Sequence, residues 1–183
     1  MHGTRYSKRA NTFIKRKAMN KEMSLWIKKL SLESHPEGGY YREVYRSDEQ
    51  IPKEGLPVRF SGPRACATSI YFLLPRGDVS RLHRIKSDEL WFFFTGADIR
   101  VHMISGEGTY HSFILGAGEG SVLQSAVPGG CWFGASVEGG GEYSLVGCVV
   151  APGFAFEDFE MGDRDTLISR YPQHREIIIR LTP

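Results

Sequence analysis

Between residues 40 and 150 the chain repeats one pattern, in which a short apolar or alternating run is followed by a cluster of Gly, Pro, Asp or Ser. The runs are Tyr40–Arg46, Thr68–Leu74, Val79–Arg84, Glu89–Phe94, Ile99–Ile104, Thr109–Leu115, Ser121–Val127, Cys131–Ala135 and Tyr143–Val150. They are rich in Val, Ile, Phe and Tyr, which favour pleated, half-buried surfaces. Breaks such as Pro75-Arg76-Gly77-Asp78 and Pro128-Gly129-Gly130 carry turn chemistry. Short strands punctuated at such intervals predict an all-β sandwich or barrel. Helices are expected only at the ends. Ser24–Ser31 has Leu25, Ile27 and Leu30 among polar residues, Asp163 can cap a helix running to Arg170, and Pro172 suits the first turn of another carrying Ile177, Ile178 and Leu181.

The chain has 183 residues, enough for one domain with a real core, and no second domain or repeat is visible. No apolar run approaches the roughly 20 residues needed to span a bilayer. Charge is unevenly placed. Residues 1–21 hold seven basic side chains and no acid, which leaves 16 Lys and Arg against 21 Asp and Glu in residues 22–183. That mildly acidic body argues against nucleic-acid binding. Residues 1–22 are expected to be a disordered basic leader ahead of a single domain at 23–183. An organelle transit peptide is the alternative, and the cytoplasm is the expected compartment. Cys66, Cys131 and Cys148 are odd in number and without CxxC spacing, so they are expected to be free, buried thiols.

The segment from Gly77 to Gly96 is the most informative. A turn centred near Lys86 predicts a hairpin with His83 opposite Glu89 and Arg81 opposite Trp91. Alternation then places Val79, Arg81, His83, Glu89, Trp91 and Phe93 on one face, and Leu82, Leu90, Phe92 and Phe94 on the other. A His–Glu pair beside Arg and Trp in an aromatic-lined cavity is the make-up of a small-molecule site. The pair could act as acid and base, as two metal ligands, or as a hydrogen-bonded brace at the barrel mouth. The apolar opposite face predicts a covering element. A homodimer with Phe92 and Phe94 at the contact is expected, and covering by the N-terminal segment is the rival.

Other candidates carry less. Gly116-Ala-Gly118-Glu-Gly120 spells a phosphate loop, but no helix follows it. His102 alternates with apolar neighbours and reads as a core or interface residue, whereas His111 and His174 read as solvent-facing. No serine sits in a nucleophile elbow, and no cysteine has a base nearby in sequence.

Gly77-x5-His83-x5-Glu89-x6-Gly96 resembles the first motif of the cupin superfamily, and Ser121–Phe133 resembles the second. The strings His35-Pro-Glu-Gly-Gly-Tyr-Tyr-Arg-Glu-Val-Tyr-Arg-Ser47, Ser69-Ile-Tyr-Phe-Leu-Leu74, His83-Arg-Ile-Lys-Ser-Asp-Glu-Leu-Trp91 and Val146-Gly-Cys-Val-Val-Ala-Pro-Gly-Phe154 are similar to the "cupin 5" branch, domain of unknown function 985. The likeness runs from about Leu25 to the C-terminus. It implies an all-β double-stranded β-helix, the cupin jelly-roll barrel related to sugar-nucleotide epimerases, with short terminal helices and usually a dimer. It adds Glu37, Tyr41, Tyr71 and Phe133 to the expected pocket lining.

The departures limit the chemistry. Metal cupins use three His and one Glu; His83 and Glu89 match, but Ile85 and Phe133 stand where the other two His would be. The branch's usual Gln at 133 and His at 92 are both Phe, and position 155, often an acid, is Ala. No metal and no other cofactor is therefore expected. Two functions stay open: a metal-independent isomerase or epimerase acting on a sugar-nucleotide-like or other carbonyl-bearing molecule, or a non-catalytic ligand-binding or scaffold dimer. In the first, His83 abstracts a proton, Glu89 orients it and Arg81 holds an anionic group. A metal-dependent dioxygenase is opposed by Ile85 and Phe133.

Overall fold

The computed structural model describes residues 21–183. Residues 21–30 form helix α1. The strands follow as β1 (Glu33–Ser34), β2 (Tyr40–Arg46), β3 (Gln50–Ile51), β4 (Arg64–Ala65), β5 (Thr68–Pro75), β6 (Val79–Arg84), β7 (Asp88–Gly96), β8 (Ile99–Ile104), β9 (Tyr110–Leu115), β10 (Gln124–Val127), β11 (Trp132–Val137), β12 (Tyr143–Ala151) and β13 (Glu160–Met161). Helices α2 (Arg164–Arg170) and α3 (Arg175–Leu181) close the chain. All nine runs read from the sequence are strands, and Asp163 caps α2 by accepting from the Thr166 amide at 2.9 Å. No helix among the described residues is long and apolar enough to cross a membrane. The expected disordered leader lies outside the described residues except for 21 and 22, which are helical.

Two antiparallel sheets face each other. One has the order β1-β2-β5-β12-β7-β10 and the other β13-β6-β11-β8-β9. Their inner faces enclose a core that includes Phe72, Trp91, Ile99, Val101, Phe133 and Val146. This is the jelly roll expected of the sequence, with short helices at both ends. The outer face of the five-stranded sheet is covered by α2 and α3, through Leu167, Ile178 and Leu181 against Leu82, Ile104 and Trp132. Helix α1 covers part of the other sheet through Met23, Trp26, Ile27 and Leu30. Leu25, expected on its apolar stripe, is instead exposed, because the i, i+3, i+4, i+7 set facing the sheet starts at Met23.

The Gly77–Gly96 segment is not a hairpin. Strand β6 belongs to the five-stranded sheet and β7 to the six-stranded one, so the chain crosses between sheets at residues 85–87. His83 pairs with Phe133 on β11, and Glu89 with Val150 on β12 and Val127 on β10. His83 and Glu89 thus face the interior from opposite sheets. On β7 the expected alternation holds, with Glu89 and Trp91 buried and Leu90 and Phe94 exposed. On β6 it fails. Phe133 is opposite His83 but Ala135 is opposite Ser80, which leaves one extra residue in β6, a β-bulge. Gly134 lies beneath it, where an added Cβ would come within 2.5 Å of the Ser80 carbonyl oxygen. The bulge puts Ser80 and His83 on the same side, while Val79 packs outward with the Leu82 cluster.

Candidate functional site

A second bulge shapes the other wall. On β2, Glu43 is opposite Ile70 but Tyr45 is opposite Ser69, so Val44 is the extra residue. Tyr41, Glu43 and Arg46 consequently share the inner face, with Thr68 and Ile70 of β5 and Cys148 and Val150 of β12 beside them. Together with His83, Ile85, Glu89 and the segment after β12 they enclose a cavity of about 280 Å³. The turn at residues 35–39 inserts His35 and Glu37 into it. Gly38 has φ +110° and a Cβ there would run into the Val79 carbonyl oxygen, so the turn can lie this close only without a side chain. The backbone Arg81 amide donates to the Glu37 carbonyl at 2.8 Å and ties the turn to the β6 bulge.

His83 therefore meets Glu37 before it meets Glu89. Its Nδ1 is 2.6 Å from Glu37 Oε2 and 2.7 Å from the Arg81 carbonyl oxygen. Both neighbours are acceptors, so Nδ1 carries a hydrogen, and in the charged ring the second N–H is Nε2. Burial opposes the imidazolium, but the Glu37 carboxylate outweighs it, and the His83 pKa lies above its ordinary value. Burial likewise pushes Glu37 upward, and the charge and hydrogen bond of His83 bring it below the usual range. Glu89 is the odd carboxylate. Burial raises it, the imidazolium pulls it back, Glu37 raises it again, and it ends at about 7. Cys148, a diagonal neighbour of Glu89 across the β12–β7 ladder, hydrogen-bonds to it, and burial beside that carboxylate lifts its thiol well above the ordinary value. His35 Nδ1 accepts from the Glu37 amide at 3.3 Å, and burial holds the ring below its ordinary pKa, neutral with its hydrogen on Nε2.

The structure brings together four of the expected residues: His83, Glu89, Glu37 and Tyr41. Arg81 is not among the lining, because the β6 bulge breaks the alternation that would have aimed it inward. Tyr71 lies on the outer face of β5, against the α1 cluster and edge-on to Phe94 at 5.9 Å. Trp91, Phe93 and Phe133 are core residues below the cavity rather than its wall. Phe133 still acts on the site, with its ring centroid 4.0 Å from that of His83.

Sequence reasoning missed His35, Glu43, Arg46, Thr68, Cys148 and the trio Phe154, Phe156 and Phe159. Thr68, Ile70, Cys148 and Val150 follow from period-2 alternation once Phe72 and Val146 are taken as inward. The trio sits on the segment joining β12 to β13, held by the buried Arg64–Asp158 pair at 2.6 and 2.7 Å. Two of the three thiols, Cys66 and Cys131, are only half-buried, against expectation, because both lie at strand ends; all three are free. His102 is buried, with its nitrogens 2.8 Å from Tyr110 Oη and 3.2 Å from Ser136 Oγ, while burial and Arg180 push its pKa down to about 4. His111 is exposed, whereas His174 is half-buried with Nε2 2.7 Å from the Gly108 carbonyl.

The residues present do not fit the metal of three-His, one-Glu cupins. Ile85 and Phe133 have no donor atoms, which leaves His83 and Glu89 as the two matching ligands where open metal sites normally have three. Among the described residues no group of three or more His, Cys, Asp or Glu is arranged to hold an ion.

Two facing antiparallel sheets around a small cavity are the jelly-roll architecture of cupins. The chain belongs to the cupin superfamily family DUF985 (Cupin_5), whose profile matches residues 24–162. It is similar to the crystal structure of a protein from Shewanella oneidensis, at 41% identity and TM-score 0.77, covering 86% of this chain and 95% of that one. It is also similar to a hypothetical protein from Leishmania major, at 39% identity and TM-score 0.79, covering 87% and 97%. Bacillus subtilis oxalate decarboxylase at pH 4.6 shares the fold, at 17% identity and TM-score 0.50, covering 81% of this chain and 36% of that one. None of the curated proteins matches the chain.

Proposed function

We propose that the cavity binds a small carbonyl compound and moves a proton on the carbon next to the carbonyl, as a metal-independent isomerase or epimerase. One observation carries this reading: Glu37, His83 and Glu89 are buried together in one cavity, with His83 Nδ1 2.6 Å from Glu37 Oε2, an arrangement that holds Glu37 below and His83 above their ordinary values and raises Glu89 to about 7. Environments that drive neighbouring titratable groups apart mark acid–base assignments, and a base near the working pH is the most effective one. Glu89 takes the α-proton and becomes a carboxylic acid, and the electron pair of the C–H bond moves into an enolate. His83 Nε2–H donates to the enolate oxygen, Glu37 keeps His83 charged, and Glu89 returns the proton to another carbon of the conjugated enolate, which moves the double bond of an unsaturated ketone; return to the carbon it left is the exchange that the test reads. These roles exchange those that the sequence suggests for His83 and Glu89.

The test is solvent deuterium incorporation into a panel of enolisable ketones, followed by NMR. The wild-type rate should rise as pH passes through about 7, where Glu89 ionises, and Glu89→Gln should abolish it. Incorporation by Glu89→Gln at the wild-type rate would overturn the assignment.

We further propose a homodimer through the outer face of the six-stranded sheet. Helix α1 leaves Leu90 and Phe94 exposed there. A two-fold axis lets one apolar patch cover its own copy. The alternative without catalysis, a ligand-binding or scaffold dimer, shares this face and differs only in showing no exchange.

A further inference from the structure

The two cations that line the cavity among the described residues, Arg46 and His83, each already face a carboxylate. Arg46 donates through Nε and Nη2 to both oxygens of Glu43, at 2.9 and 2.7 Å, and through Nη1 to the Phe154 carbonyl at 3.1 Å. His83 is matched by Glu37. No other Lys or Arg among the described residues lines the cavity; Lys86, nearby in sequence, is bound to Asp158 at 3.0 Å. A phosphate group carries up to about two negative charges near neutral pH and is ordinarily met by free guanidinium or ammonium groups, or by helix N-termini. Here it would lie among Glu37, Glu43 and Glu89, where the cations among the described residues are already paired.

Size and walls narrow the ligand further. At about 280 Å³ the cavity is just below the usual lower bound for small-molecule sites. It is nearly twice an apolar cavity of about 150 Å³ that accepts benzene, which sets the scale at one or two fused rings. Phe154, Phe156 and Phe159 stand mutually edge-on at 5.1 to 6.5 Å and make an aromatic track. It runs from Phe156, 67% exposed, to Phe159, whose ring is 5.4 Å from that of His83. Ile70, Ile85 and Val150 complete the apolar lining. An exposed phenylalanine continuous with two half-buried ones offers a planar ligand both ring faces and ring edges.

We infer that the ligand is a small, uncharged, planar cyclic ketone whose ring packs against the aromatic wall of Phe154, Phe156 and Phe159 with its carbonyl toward His83, and that phosphate- and nucleotide-bearing molecules are excluded. This rests on the reading of the cavity as a carbonyl site.

Titration calorimetry on the full chain tests it with 2-indanone, a bicyclic ketone, and with UDP-glucose and inorganic phosphate. 2-Indanone should bind saturably, and the other two should not. Phe156→Ala, a substitution at an exposed position, should weaken 2-indanone by roughly three- to tenfold, the value of an aromatic pair. Saturable UDP-glucose or phosphate binding in the cavity, no 2-indanone binding, or an affinity unchanged in Phe156→Ala would each overturn the inference. Deuterium exchange separates it from the proton-transfer reading: 2-indanone bound without exchange leaves the ligand class standing and removes the catalysis.

Discussion

Glu89 should cost the folded protein stability at alkaline pH, and Glu89→Gln should recover it. The carboxyl moves from an ordinary 4.5 to about 7 on folding. Between those values the folded chain holds a proton that the unfolded chain has released. Stability therefore falls as pH rises through this window and stays lower above it. At about 1.4 kcal/mol per pKa unit the full difference is about 3 kcal/mol. Gln keeps the shape of the protonated acid and has no charged form. His83 titrates in both proteins and, with its pKa raised, adds stability that is complete below 6.5 and fades as pH rises through its folded value; most of that cancels in the comparison. Thermal unfolding of wild type and Glu89→Gln, followed by circular dichroism at pH 5 and pH 8.5, measures the difference. The variant should match wild type at pH 5 within a few degrees and exceed it at pH 8.5 by roughly 6–12 °C, given about 2–4 °C per kcal/mol for a chain of this size. An equal difference at both pH values, or a wild type that gains on the variant as pH rises, would refute the argument.

Arg64→Ala should lower stability by about 3 kcal/mol, because it leaves the buried Asp158 carboxylate with Lys86 as its remaining cation; denaturant unfolding at pH 7 reads this. Phe94→Asp should shift sedimentation from dimer to monomer, and a wild type that sediments as a monomer at every concentration ends the dimer proposal. Glu37→Gln should lower the Glu89 pKa, since the neighbouring negative charge is gone and His83 has only one anion left. The Tm gain of Glu89→Gln at pH 8.5 should then shrink in that background.

The strands were legible because their alternation and their Gly and Pro breaks are local signals. Sheet membership was not, because a three-residue connection between β6 and β7 can turn a hairpin or cross between sheets. Here it crosses, with the Gly130 amide donating to the Ile85 carbonyl at 2.7 Å and Arg59 Nε to that of Lys86 at 2.8 Å. Those partners are remote in sequence. The β6 bulge left a trace, Gly134 inside an apolar run, and reading it would have removed Arg81 from the inner face. The β2 bulge left none, so Arg46 could not be assigned to the site from spacing. Glu37 was visible as a candidate, but its partner was not, because a turn outside the barrel strands brings it to His83.

That turn decides what the site can do. A barrel floor holding only His83 and Glu89 would be a neutral pair, each stabilising the other's charged form, with no group left to titrate near pH 7. Glu37 makes it three bodies, one cation and two anions, all buried. Glu37, whose Oε2 lies against Nδ1, keeps the imidazolium, and the unmatched negative charge falls on Glu89. Burial then makes that charge expensive, and the carboxyl keeps its proton until about neutrality. Ile85 and Phe133 matter in the same way. In a metal cupin an ion would absorb this excess charge, whereas here two apolar side chains leave only a proton to do so. Without donors at 85 and 133, burial and Glu37 are opposed at Glu89 by His83 alone, and that is why the proposed chemistry is proton transfer at this carboxyl.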